Sequence, residues 1–389
     1  MDYQKLKHMY LYLSLFAKFS GMIRTTVREF VCLIAFLFLI TPAFSKAPHL
    51  TADQIKNPPP KIIRTCCAFG TEIGFAGVPF ARKTDITSVS NMGPHAYMGG
   101  PEEHNGIIYT RRGGFIDLGH LRDCADWTAY LYNLIQASKY DSDLAITKIG
   151  YEGGEKTLTL RIPQNFDVNK SSELASKIAY DFSVWHEIAT WFGASYVPMI
   201  PERYSSFSPE DLYSNLLGTY LGIMAIKSDK EYDEAMTSLL EEMLYNLECV
   251  DTEEETFDAM LSVDHIWYDG QKRFPNKKII LKRFLDSETA LIPWIVPGME
   301  GILPPFVLRK PNSQLSDLYQ LSIKLNVRFP VKEIFSDESD RVITQKDFDT
   351  IINYIHGKIN VQDEKEQIKS RRSIKRKENK KEEKELSSL

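Results

Sequence analysis

The chain reads as an α+β fold, a mainly helical single large domain carrying a small antiparallel sheet or hairpins. Three observations carry that expectation. Apolar residues recur at helical spacing over long stretches, most clearly 171–192 and 208–247. Short strand-like segments flank glycines, as at 144–151 and 157–162 around Glu152-Gly-Gly-Glu155. Strands and helices do not alternate regularly, which argues against a parallel βα sheet.

At 389 residues and 43% hydrophobic, the chain can bury a full core. A net charge of −5 gives no case for specific nucleic-acid binding. Aromatic residues make up 12%, which suits an ordered protein.

The N-terminal 45 residues have the layout of a signal peptide. Arg24 and Arg28 precede an almost wholly apolar run at 30–41, and Ala43 and Ser45 supply a small-x-small cleavage site. The run is shorter than the roughly 20 residues of a membrane-spanning helix. Residues 1–21 then form an over-extended start, with Met22 as initiator and cleavage near Ser45–Lys46. The mature protein is expected in the periplasm or outside the cell. Four cysteines remain after cleavage: Cys66, Cys67, Cys124 and Cys249. In an oxidising compartment the default is structural thiols or one to two disulfides, and a cysteine nucleophile is the less favoured reading.

Residues 46–60 are Pro- and Lys-rich and read as a linker, followed by a main globular domain over 61–300. Residues 61–77 suggest a strand and tight turns. Residues 84–106 hold six glycines and prolines together with His95 and His104, the composition of a long loop. Ile107-Ile-Tyr109 reads as a short strand. From Phe115 the chain runs into a helix ending near Ser138, with Trp127, Leu131, Leu134 and Ile135 on its apolar face. A hairpin over 144–162 precedes the long helix to Phe192. Ser208-Pro-Glu-Asp211 is a helix start, since serine caps, proline fits the first turn and acids complement the dipole. That helix continues to about Lys227, and another spans Lys230 to about Leu247. Strand-like pieces fall at 277–284 and 291–296. Residues 301–360 form a C-terminal extension packing on the main domain, with a last helix near 345–358. Residues 361–389 form a charged, disordered tail. From 362 on it has ten Lys/Arg and seven Asp/Glu; its basic runs offer a peripheral membrane contact, with plain solubility the favoured reading.

Two clusters could carry chemistry. On a helical wheel Leu174, Ile178, Phe182, Trp185, Ala189 and Phe192 form one apolar stripe, with His186 at its edge beside small residues and Glu187 about 100° further round. His186-Glu187 begins like the zinc-peptidase signature H-E-x-x-H, but Thr190 stands where the second histidine belongs. The second cluster is Asp117-Leu-Gly-His-Leu-Arg-Asp-Cys-Ala-Asp126. A helix beginning near Gly119 puts His120 and Asp123 one turn apart, and Arg122 can pair with an acid. In the structural alternative, Asp117 caps the helix and Asp123 or Asp126 binds Arg111 or Arg112. A third, narrower stripe of Asp211, Asn215, Gly218 and Gly222 lets another backbone approach closely or lines a pocket, with packing favoured. His265 and His356 have no spacing argument.

His120 and His186 with an acid from Glu187, Asp117 or Asp123 make a two-histidine, one-carboxylate set. Such a set suits zinc with an open water position, or non-haem iron. With zinc, Glu187 as general base points to hydrolysis. Asp117 and Asp123 are the further catalytic candidates, and Glu187 doubles as a third metal ligand.

Several of these segments resemble a bacterial family of exported proteins, domain of unknown function 4056, whose members are often described as lipoproteins. The matching pieces are Arg64-Thr-Cys-Cys-Ala-Phe-Gly70, Gly113-Gly-Phe-Ile-Asp-Leu-Gly-His-Leu-Arg-Asp123, Ser183-Val-Trp-His-Glu-Ile-Ala-Thr-Trp-Phe-Gly193, Phe207-Ser-Pro-Glu-Asp-Leu-Tyr-Ser-Asn-Leu-Leu-Gly218 and Trp294-Ile-Val-Pro-Gly298. The resemblance implies an envelope location and no particular mechanism. Lipid anchoring needs a cysteine right after the cleavage point, and Cys32 lies inside the apolar run, so a soluble periplasmic or secreted form is expected. The functional expectation is a metal-dependent hydrolase acting on an envelope component. The rival is a non-catalytic envelope or secreted binding protein whose buried His, Asp and Glu form a structural network.

Overall fold

Helix α4 (Asp211–Lys227) is the axis of the fold, because its sequence is apolar or small on nearly every side. Leu212, Leu216, Leu217 and Leu221 are fully buried. The computed structural model describes residues 46–60, 63–64, 69, 73–74, 82–83, 86–195, 203, 205–271, 280–285, 289–335 and 341–361. The expected signal segment, Cys66 and Cys67, and the charged tail from 362 lie outside the described residues.

The first described helix is a single capped turn, α1 (Ala52–Lys56). Two short strands follow, β1 (Ile73–Gly74) and β2 (Arg82–Lys83), paired antiparallel. No helix or extended strand interrupts the loop over 87–106. A tight hairpin, β3 (Ile107–Thr110) and β4 (Gly114–Asp117), then feeds directly into α2 (Leu118–Ser138). Asp117 ends the strand and caps the helix, its Oδ1 accepting from the amides of Gly119 at 2.7 Å and His120 at 3.1 Å. The hairpin strands β5 (Ile146–Tyr151) and β6 (Gly154–Leu160) lead to α3 (Val168–Trp191).

Helices α2, α3 and α4 pack against one another, and small residues set how closely. A Cβ on Gly218 would stand 2.7 Å from the Leu121 carbonyl carbon and 2.9 Å from its Cα, so the backbones of α2 and α4 touch there. Gly222 repeats the approach against Ala125 and Thr128. The expected small-residue stripe is therefore the α2–α4 seam.

Beyond α4 come α5 (Tyr232–Asn246) and α6 (Glu253–Ser262). Helix α6 was not expected from the sequence, although Thr252 and Glu255 form a full capping box at its start. Strands β7 (Ala290–Leu291) and β8 (Leu308–Arg309) pair antiparallel, so the strand expected over 291–296 is confined to its first residue. The segment 272–279 lies outside the described residues.

Strand β9 (Tyr319–Leu325) is the centre of the largest sheet, which has the order β10-β9-β6-β5 with β10 at Val342–Thr344. All its pairings are antiparallel, with Leu158 opposite Leu321 and Lys156 opposite Ile323. The segment after residue 300 thus completes a sheet begun at 146. A short helix α7 (Val331–Ile334) and a last helix α8 (348–361) follow. Residues 46–60, expected as a linker, lie against α2. The Tyr130 hydroxyl donates to the Ile55 carbonyl at 2.8 Å and the Asn133 amide to the Pro48 carbonyl at 3.1 Å.

Two apolar clusters result. The larger joins α2, α3, α4 and the inner face of the sheet. The smaller gathers Phe69, Tyr109, Phe115, Met260, Trp267 and Tyr268 around the β3–β4 hairpin. Among the described residues no helix is long and apolar enough to cross a membrane. Cys124 and Cys249 are both free thiols.

Candidate functional site

His120 and His186 come together. Their rings stand 6.2 Å apart, centroid to centroid, at 79°. They face a cavity of about 50 Å³ lined by Asp123, Cys124, Glu152, Lys156, Ser183 and Asn215, among others. Three helices and one hairpin turn position these side chains. From α2 come His120, Asp123 and Cys124, from α3 Ser183 and His186, from α4 Asn215, and the β5–β6 hairpin brings Glu152 and Lys156.

Each imidazole has one nitrogen at a carboxylate. His120 Nδ1 lies 3.0 Å from Asp211 Oδ1, and His186 Nδ1 lies 2.8 Å from Glu152 Oε1. Such a carboxylate fixes ring orientation and tautomer and raises the basicity of the other nitrogen. Glu152 reaches α3 because the hairpin turn docks on it. Gly153 takes φ +67°, and the indole of Trp185 donates to the Glu152 carbonyl at 2.8 Å. A side chain at Gly153 would also press on Ala189 and Trp185 at 3.0–3.2 Å. The other oxygen of Glu152 receives the Lys156 ammonium at 2.9 Å, giving a Lys–Glu–His chain whose lysine and glutamate are buried.

The site is rich in buried acid. Burial pushes the Asp211 carboxyl up, against the pull of His120. Burial and then the charge of Asp211 hold Glu210 well above the usual carboxylate range. Near Glu187 lies Arg283, lowered to about 10 by burial against the attraction of Glu187 and stacked 5.1 Å over Trp191. Burial also pushes the Cys124 thiol up to about 12.

Glu187 is 1% exposed, and its Oε2 accepts the Phe207 amide at 2.5 Å. That bond anchors a residue held at φ +55°, just before the turn into α4. Its Oε1 stands 4.0 Å from His186 Nε2. Two ligands on one tetrahedral zinc, each about 2.0–2.1 Å away, sit roughly 3.3 Å apart. Glu187 would have to move inward to join His186 on a metal. Among the described residues, no three His, Cys, Asp or Glu side chains already form a group able to hold one. His120 and His186 are the two cavity histidines that could hold a metal, with Glu187 Oε1 the carboxylate oxygen at 4.0 Å from His186 Nε2.

The remaining candidates are placed as follows. Asp117 is the α2 cap, and its own amide donates to Ser214 Oγ at 2.9 Å. Asp123 lines the cavity but is engaged by Arg64, whose backbone and Nη1 donate to its Oδ1 at 3.1 Å. Burial outweighs that cation and pushes the Asp123 carboxyl up to about 7. The partner of Asp123 and Asp126 is thus Arg64, not Arg111 or Arg112. Arg64 Nη1 also reaches Asp126 Oδ2 at 3.0 Å, and its guanidinium binds Glu103. His95 closes the network with Nε2 3.0 Å from Asp126 Oδ1. Burial would raise Asp126, but His95 and Arg64 hold it below its ordinary value. Arg122 is fully buried and donates to the carbonyls of Met92, Gly93 and His104 at 3.0 Å, pinning the 87–106 loop to α2. His265 and His356 do not line the cavity.

Sequence reasoning missed Glu152 and Asp211 as partners of the histidines, and Lys156 as the partner of Glu152. Asp211 stood in the stripe with Asn215, and its spacing from the two glycines marks the face that meets α2. Glu152 gave only one local signal, a carboxylate in a Gly-Gly turn between strands.

The fold and the site define an α+β protein with a paired-histidine cavity between three packed helices and a hairpin. Residues 54–297 match the family described as "Protein of unknown function (DUF4056)", which is more than half of the chain, and the protein belongs to that family. No curated protein and no solved structure matches it.

Proposed function

We propose that the protein is an exported metal-dependent hydrolase whose centre is the His120–His186 cavity and whose substrate is a component of the cell envelope. The observation that supports this reading most is the doubled carboxylate–imidazole pairing. Asp211 behind His120 and Glu152 behind His186 are the outer partners that metal-binding histidines typically have. Zinc held by His120 and His186, with Glu187 moving in as third ligand or base, would supply a water activated near neutral pH. Export rests on the basic and apolar N-terminal segment, and the family members' description as lipoproteins is not carried over because no cysteine follows the cleavage site. The basic tail gives the protein a second, peripheral contact with an anionic surface.

The competing reading is a non-catalytic binding protein with a structural polar network, and the Arg64–Asp123–Asp126–Glu103 cluster favours it for Asp123. Zinc titration separates the two. Purified protein should take up close to one zinc, and His120→Ala and His186→Ala should each weaken binding by at least tenfold. Wild type that binds no zinc and melts identically in chelator would overturn the hydrolase.

A further inference from the structure

Asn215 is the one residue of the α4 seam that the packing does not explain. Gly218 and Gly222 let α2 approach, and Asp211 sits behind His120. Asn215 is 3% exposed and lines the histidine cavity. Its Oδ1 lies 3.2 Å from Cys124 Sγ, while its Nδ2 has no hydrogen-bond partner among the described residues. The amide orientation follows from the thiol. The Cys124 Sγ–H donates to the amide oxygen and turns it toward the thiol. The two N–H bonds of Nδ2 are thereby committed to the other side. Buried donors are nearly always satisfied, and an unsatisfied one on a cavity-lining residue points to an acceptor that comes from outside the chain.

The cavity selects further. Its roughly 50 Å³ exceeds the ~10–15 Å³ that one water needs, yet it admits only the small end of a larger molecule. His186 is the one lining residue that is not buried, so the ring that faces His120 also meets solvent. Lys156 adds a buried ammonium to the donors, and the Ser183 hydroxyl donates to the Tyr180 carbonyl at 2.8 Å.

We propose that Asn215 anchors the ligand of this cavity by donating from Nδ2 to an acceptor oxygen, so that the group bound between the histidines is a carboxylate or an acyl carbonyl. The inference deepens the hydrolytic reading, since an acyl oxygen held there lies beside the imidazoles that would hold the attacking water. It does not require the metal.

The test uses full-length protein in chelator, with acetate and acetamide as probes followed by saturation-transfer NMR and titration. Wild type should bind at least one of them saturably. Acetate alone identifies a carboxylate, acetamide alone a neutral carbonyl, and both together any acyl oxygen. Asn215→Leu keeps the volume and removes the donors, and should weaken the bound probe at least tenfold. Asn215→Asp replaces donors by acceptors and should do the same, which preserves the test if the leucine variant does not fold. Absence of saturable binding to wild type, or variants that bind as tightly as wild type, would overturn the proposal. Zinc uptake by wild type is read separately, so a failed metal site and a failed anchor give different results.

Discussion

Replacing Gly218 with alanine should cost the protein about 2 kcal/mol, although alanine is the better helix former. The gain in helix propensity is about 1 kcal/mol. Against it stands a methyl group placed 2.7 Å from the Leu121 carbonyl carbon and 2.9 Å from its Cα. Both are backbone atoms, so no side chain can swing aside, and α2 must move away from α4. Overpacking of this kind costs roughly 1–3 kcal/mol, more when the backbone has to shift. The net loss corresponds to a fall of about 3 °C in melting temperature for a domain of roughly 300 residues. Two controls calibrate the argument. At Gly222 the new contacts are 3.0–3.1 Å, so the penalty is small and Gly222→Ala should stay within about 1 kcal/mol of wild type. At Gly357 nothing lies within 4 Å, and alanine there should stabilise α8 by about 0.5–1 kcal/mol. Thermal unfolding of the three variants should order them Gly357→Ala, Gly222→Ala, Gly218→Ala from most to least stable. A Gly218→Ala protein melting at or above wild type would refute the idea that direct backbone contact sets this seam.

Arg64→Met should destabilise by about 3–5 kcal/mol in chemical denaturation, because Asp123, Asp126 and Glu103 stay buried without their shared cation. Loss below 1 kcal/mol would mean the acids find other partners. Burial pushes the thiols of Cys124 and Cys249 up to about 12, so iodoacetamide at pH 8 should label neither in folded protein and both in urea, as read by peptide mass mapping. The Asp123 carboxyl, raised to about 7, holds its proton more tightly folded than in the unfolded chain, where it titrates near 3.9. Its contribution to stability is therefore full below about pH 4 and is lost as pH rises through 7. Asp123→Asn should flatten the fall in melting temperature between pH 5 and 8, and an unchanged slope would place that titration elsewhere.

Much of the helical part was legible because its signals are local. The helices expected at 171–192, 208–227, 230–247 and 345–358 appear as Val168–Trp191, Asp211–Lys227, Tyr232–Asn246 and 348–361. The start of α4 shows where local chemistry yields. Ser208 was expected as its cap, yet Ser208 Oγ donates to Glu210 Oε2 and the helix begins at Asp211 without a side-chain cap. Strand β9 went unread although Tyr319, Leu321, Ile323 and Leu325 alternate and are all buried. Its partner β6 lies some 160 residues earlier, as the pairing of Leu158 with Leu321 records, and nothing in either segment names the other.

Of the site, both histidines were readable and the carboxylates behind them were not. His120 and His186 are out of place on apolar helices, and that is visible from residue type and spacing. Whether two such residues meet depends on how the three helices cross, and the two glycines set one of those crossings, that of α4 on α2. Glu152 reaches His186 only because a hairpin turn docks on α3. The sequence by itself determined the long helices, their apolar faces and the residues that do not belong on them. The tertiary structure decided which of those residues share a cavity, because the pairings that build it join side chains 34 residues apart for Glu152 with His186 and 91 for Cys124 with Asn215.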